Sequence, residues 1–156
     1  MTSSKHITIA GAPEGFDAKL ILNEVAKSGP VVHVARDDKR LASMQSALAF
    51  FAPDMPIIVF PAWDCLPYDR ISPNADISAS RMATLAGLVH GMPNKFILLT
   101  SMAAATQRLP ARSLLRDAAF KANVGDRINE KALRNFLIRM GFTQSPTVME
   151  PGDYAV

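Results

Sequence analysis

Four short apolar runs, His6 to Ala10, Val31 to Ala35, Ile57 to Phe60 and Phe96 to Thr100, are separated by stretches with helical periodicity. No other feature constrains the fold as much, because parallel strands need a crossover of a dozen residues or more, usually a helix. The runs are nearly all apolar rather than alternating, which suits strands covered on both faces. The reading is α/β, a parallel sheet flanked by helices. Phe16 to Lys27 turns Leu20, Ile21 and Val25 to one side and stops at Ser28-Gly29-Pro30. Asp37-Asp38 caps a second helix with Leu41, Met44, Leu48 and Phe51 as its buried stripe, ended by Pro53. A third follows Asn74-Ala75-Asp76, with Ile77, Met82, Leu85 and Val89 inward, and stops before Gly91. Ser101 to Leu109 reads as a short helix.

The rhythm lapses at Leu109-Pro110-Ala111-Arg112, which separates a domain at 1–110 from a second region at 111–156. There Ala119 to Val124 reads as a strand, Gly125-Asp126 as a turn, and Asn129 to Met140 as a helix. Asn129 is its N-cap, Ile128 and Leu133 staple its start, and Leu133, Phe136, Leu137 and Met140 form one stripe. Gly141 and Phe142 suit a Schellman close. Thr147 to Met149 and Tyr154 to Val156 read as strands around the turn Glu150 to Asp153, so the second region is expected to be an incomplete small α+β domain.

Several function classes drop out on composition. No apolar run approaches a bilayer span and the first residues lack a signal-peptide apolar region, so a cytoplasmic location without membrane attachment is expected. The single cysteine, Cys65, makes neither an internal disulfide nor a zinc site. The net charge is +3; residues 1–110 carry 10 Lys and Arg against 9 Asp and Glu, and residues 111–156 carry 7 against 5. That basic excess is not interleaved with aromatics, which favours a solvated face over a nucleic-acid surface.

Chemistry concentrates in two loops. Gly11-Ala12-Pro13-Glu14-Gly15-Phe16-Asp17-Ala18-Lys19 follows the first expected strand, where a phosphate loop sits. Pro13 removes a backbone donor, Glu14 and Asp17 put negative charge where phosphate belongs, and there is no Gly-Lys-Ser/Thr or G-x-G-x-x-G. Gly11, Gly15 and Asp17 therefore mark a vestigial loop at most, and a nucleotide-binding enzyme built on Gly11 to Lys19 is the alternative. The second loop, Phe60 to Asn74, holds three prolines with Trp63 and Tyr68. It is either a recognition loop or a lid over the sheet edge with Asp64 and Asp69 capping backbone amides. His6, His33 and His90 have no ligand spacing, no G-x-S-x-G elbow occurs, and neither catalytic nor metal-ligating residues are assigned.

Pro61-Ala62-Trp63-Asp64-Cys65-Leu66-Pro67-Tyr68-Asp69, Ser72-Pro73, and Ile77-Ser78-Ala79-Ser80-Arg81-Met82-Ala83-Thr84-Leu85 resemble the N-terminal region of the bacterial transcription-repair coupling factors, the Mfd family. Thr100, Gln107-Arg108 and Glu150-Pro151-Gly152-Asp153-Tyr154-Ala155 continue the match in order. Trp63, Asp64, Leu66, Pro67, Tyr68 and Asp69 form its signature loop. The resemblance implies a UvrB-like, degenerate helicase-type domain with no ATP site, Asp17 standing near the place of the phosphate-loop lysine. An inserted domain that docks UvrA would follow, starting near Pro110 to Ser113. It further implies that ATP and magnesium, and action on DNA and stalled RNA polymerase, belong to motor domains outside these residues. Only Arg70 to Ala75 separate the signature loop from the next helix, too few for UvrB's DNA-clamping hairpin. Arg127, Arg134, Asp153 and Tyr154 are the nearest candidates for partner contact, with plain surface, or sheet packing for Tyr154, as the alternative.

Overall fold

A computed structural model describes residues 6–66, 70, 72–120, 122–150 and 152–156. The chain divides into two compact units, Met1–Leu109 and Pro110–Val156. In the first, α1 (Phe16–Ser28), β1 (Val31–Ala35), α2 (Asp38–Phe51), β2 (Ile57–Phe60), α3 (Ala75–His90), β3 (Ile97–Ser101) and α4 (Met102–Ala105) follow in order. The strands form a parallel sheet ordered β1-β3-β2, with Val31 and Ile57 both beside Ile97. Helices flank it as expected from the alternating pattern.

Local chemistry sets the boundaries. Gly29, at φ 91°, closes α1 and its N–H reaches Val25 O, while the ammonium of Lys95 reaches Ala26 O in the same last turn. Asp37 caps α2 by accepting from the Arg40 N–H, and Asn74 caps α3 by accepting from the Asp76 N–H. Ala18, Val25, Leu41, Met44, Leu48, Ala35, Ile97 and Leu99 make the core between α1, α2 and one face of the sheet. Leu48, Ile97 and Leu99 have no exposure at all, and each such side chain contributes about 1.5–3 kcal/mol by leaving water.

The first expected strand is corrected. Residues 6–10 are irregular and exposed, Ile7 by 67% and Ile9 by 57%. β3, the best-buried strand, already has a partner on each edge, and two isoleucines bring too little apolar area to hold a further strand at the rim. Two expected core residues are also corrected: Phe51 is 53% and Met82 39% exposed. Phe51 lies in the last turn of α2 in an edge-on pair with Phe50, and α3 buries Arg81, Thr84 and Leu85 instead. The expected Ser101 to Leu109 helix is confined to α4, with Ser101 as its cap.

The second unit holds α5 (Arg112–Asp117), α6 (Glu130–Arg139), β4 (Thr143–Gln144) and β5 (Asp153–Tyr154). α6 matches its sequence signals: Asn129 accepts from the Ala132 N–H, and the Phe142 and Gly141 amides reach Leu137 O and Ile138 O, a full Schellman close. Elsewhere the reading is corrected. The stretch 119–124 forms no strand among its described residues; the segment Arg112–Asp117 just before it is helical. Residues 147–149 form no strand, and β5 pairs in parallel with β4, Thr143 beside Asp153, rather than in a hairpin. Asp153 explains this, because its carboxylate accepts from the Met149 and Glu150 amides and turns that stretch into a cap. Only Leu115 and Tyr154 are buried among the described residues here.

Candidate functional site

In a parallel α/β layer, ligand chemistry gathers at the carboxyl ends of the strands, where helices begin. The loop after β2 meets that description directly, and the turn before α1, which follows no strand, reaches the carboxyl end of β1 through Asp17, which lines one cavity with Ala35 and Arg36.

The turn is built from positive-φ glycines, Gly11 at 71° and Gly15 at 81°, with Gly15 as the N-cap of α1. Gly15 has no side chain to satisfy the first amides. Asp17, in the first turn, compensates: one carboxylate oxygen accepts from the Ala18 N–H at 3.0 Å and the other from the Arg40 guanidinium at 3.2 Å. A cavity of about 190 Å³ opens beside them, lined by Asp17, His33, Arg36 and Arg40 among others. Arg36 is paired to Asp37 at 2.9 Å. Burial holds His33 below the ordinary imidazole range; Asp17 opposes that shift and Arg40 adds to it. The Asp37 carboxyl is also held low, first by the Arg40 amide and then by the Arg36 guanidinium. The cavity's cations thus already face carboxylates, and a phosphate entering it would meet Asp17. Glu14 lines the neighbouring groove with Gly15 and Phe51.

The described start of the loop after β2 is held by side chains of β3, of α3 and of the segment after α4. Thr100 Oγ1 on β3 donates to Phe60 O at 2.9 Å. The Trp63 N–H donates to Gln107 Oε1 at 3.1 Å, and both Asp64 carboxylate oxygens accept from the Asn74 N–H at 3.2 and 3.3 Å. Arg81 on α3 donates to Pro61 O at 2.5 Å and to Gln107 Oε1 at 3.0 Å, with its guanidinium carbon 4.2 Å from the Phe60 ring centre and 4.4 Å from that of Trp63. Burial lowers its proton affinity. Leu66 is 76% exposed and Cys65 half-buried. Pro67, Tyr68 and Asp69 lie outside the described residues. Sequence reading missed Arg81 and Gln107 as parts of this site; no apolar periodicity marks a buried cation, although both stand within the strings that carried the family resemblance.

The four residues singled out for partner contact have separate local roles. Arg134 pairs with Glu130 at 2.8 Å one turn back on α6. Asp153 caps the 149–150 amides and Tyr154 is 8% exposed on β5. Arg127 is exposed beside a shallow cavity with Phe120, Ile128 and Asn129, and makes no ion pair among the described residues. Among the described residues no group of three His, Cys, Asp or Glu is placed to hold a metal ion, and no helix is long and apolar enough to cross a membrane.

Comparison with known proteins adds a consistent finding. No family model matches the chain. The transcription-repair-coupling factor of Escherichia coli (strain K12) is 30% identical over 149 residues, 94% of this chain and 13% of that protein. That of Haemophilus influenzae is 29% identical over 152 residues, 97% of this chain and 13% of the relative. That of Rickettsia bellii is 28% identical over 131 residues, 84% of this chain and 12% of the relative. The chain thus spans about an eighth of the length of the curated relatives it matches.

Proposed function

The chain belongs with the transcription-repair-coupling factors, and from that premise we propose that it is a non-enzymatic docking module of transcription-coupled nucleotide excision repair, acting in the cytoplasm. In this reading the unit Met1–Leu109 is a UvrB-like domain whose phosphate loop has been lost, and Pro110–Val156 belongs to a domain that recruits UvrA. ATP hydrolysis, translocation on DNA and displacement of stalled RNA polymerase would be properties of the whole protein and need no residue of this chain. The observation that carries the reading is similarity to proteins of this one name over 94–97% of the chain. The geometry of the first turn supports the non-enzymatic part. Asp17 and Arg40 neutralise each other at 3.2 Å where a phosphate would need free donors.

Calorimetric titration of the 156-residue chain with purified UvrA tests the proposal, with magnesium ATP titrated separately. Saturable binding of UvrA that weakens on Arg127→Glu substitution is the expected result, with no heat from ATP. A flat UvrA titration overturns the docking role. Saturable ATP binding that disappears in Asp17→Arg would overturn the claim that the turn is vestigial.

A further inference from the structure

We propose that Arg81 is the positioning residue of the Trp63 segment, holding residues 60–63 in one conformation by stacking under both aromatic rings while donating to the backbone there. The inference does not depend on UvrA docking. It rests on the chemistry of a cation that is 1% exposed and has no carboxylate partner among the described residues. Such a group is kept only where its surroundings replace the lost water. Here the faces of Phe60 and Trp63 supply the negative potential, at 4.2 and 4.4 Å, and Pro61 O and Gln107 Oε1 supply acceptors. Gln107 Oε1 also accepts from the Trp63 N–H, so one amide oxygen ties the cation and the loop backbone to the same point.

Arg81 Nε has no acceptor among the described residues. The guanidinium therefore does not satisfy every donor at this place, and what it gains there is the pair of ring faces and the two shared acceptors. A lysine has neither the planar fork nor the flat face that stacks, so it is not an equivalent. The competing explanation is that the prolines of residues 61–73 alone make the loop stiff. The two accounts differ in whether Trp63 responds to changes on α3.

Trp63 is the only tryptophan of the chain, so intrinsic fluorescence reads the loop directly. The experiment measures emission maximum and acrylamide quenching of the intact chain for Arg81→Lys, Arg81→Met, Gln107→Leu and Gln107→Glu, with far-ultraviolet dichroism to confirm folding. For both Arg81 variants, red-shifted emission and a roughly two-fold rise in quenching are expected, since the ring loses its stacked cation. Gln107→Leu moves the same way by less. Gln107→Glu, which keeps the shared acceptor, stays at the parent value. Folded Arg81 variants with unchanged Trp63 quenching overturn the proposal. Should those variants not fold, Gln107→Leu decides alone, and unchanged quenching there overturns it; so does a Gln107→Glu chain as loosened as Gln107→Leu.

Discussion

The two loops at the carboxyl edge of the sheet are each closed by an arginine, in opposite surroundings. At the turn before α1, Arg40 meets Asp17 with side-chain exposures of 47% and 35%. At the loop after β2, Arg81 is sealed from water and meets aromatic rings and neutral oxygens. An exposed pair is screened by water and salt, so it neutralises charge without fixing shape. A buried cation has no such tolerance, because every degree of misplacement leaves it desolvated and unpaired. The first loop is thus electrostatically filled and the second mechanically set, although both begin from the same residue type.

The largest test of that contrast is Arg81→Ala. It opens a cavity at the foot of the loop and strands Pro61 O and a share of Gln107 Oε1. A loss of about 3 kcal/mol in urea unfolding is expected, insensitive to added salt. A loss under about 1 kcal/mol would place Arg81 in the same class as Arg40. Asp64→Ala comes next. It removes the acceptors for the Asn74 N–H just before α3, an exposed cap-like contact, and a loss of about 1 kcal/mol with normal fluorescence of Trp63 is expected.

Sequence patterning reached the parts of the fold that depend on local rules. The three strands Val31–Ala35, Ile57–Phe60 and Ile97–Ser101, the caps Asp37, Asn74 and Asn129, and the Gly141 close all follow from period, propensity and orphan amides. It failed where tertiary competition decides. His6 to Ala10 has the look of a strand but lacks an edge worth occupying. The stretch 147–149 has strand-forming residues, yet the Asp153 carboxylate captures the amide of Met149 and that of Glu150 after it. Of the candidate site, the negative charge that Asp17 brings to the turn before α1 was legible because it concerns residue types at one turn. Arg81 was not, because its role needs Phe60, Trp63 and Gln107, up to 26 residues away, to converge in space.

At the exposed turn the effects are smaller and depend on conditions. Arg40→Ala and Asp17→Asn should each change stability by less than about 1 kcal/mol, with the difference from the parent vanishing in molar salt. A salt-resistant loss would mean the pair behaves as a buried one. The same measurement on Arg81→Ala serves as the control, since its loss should survive the salt.

The smallest effect is a pH dependence at His33, and its sign follows from the lowered folded-state value. Unfolded, the imidazole titrates near 6.5; folded, burial delays protonation to lower pH. Above 6.5 both states hold it neutral. As pH falls below 6.5 the unfolded chain binds the proton first, so stability declines until the folded-state value is passed, and then levels. Half-burial limits that decline to less than about 1 kcal/mol. Asp17 opposes the shift, whereas Arg40 reinforces it. Asp17→Asn should therefore push the His33 midpoint lower still, and Arg40→Ala should return it toward 6.5, both read from the imidazole resonance in a proton NMR titration. His33 midpoints that ignore both substitutions would mean that the cavity beside the turn is already screened by solvent, and that the Asp17–Arg40 pair fills it sterically rather than by charge.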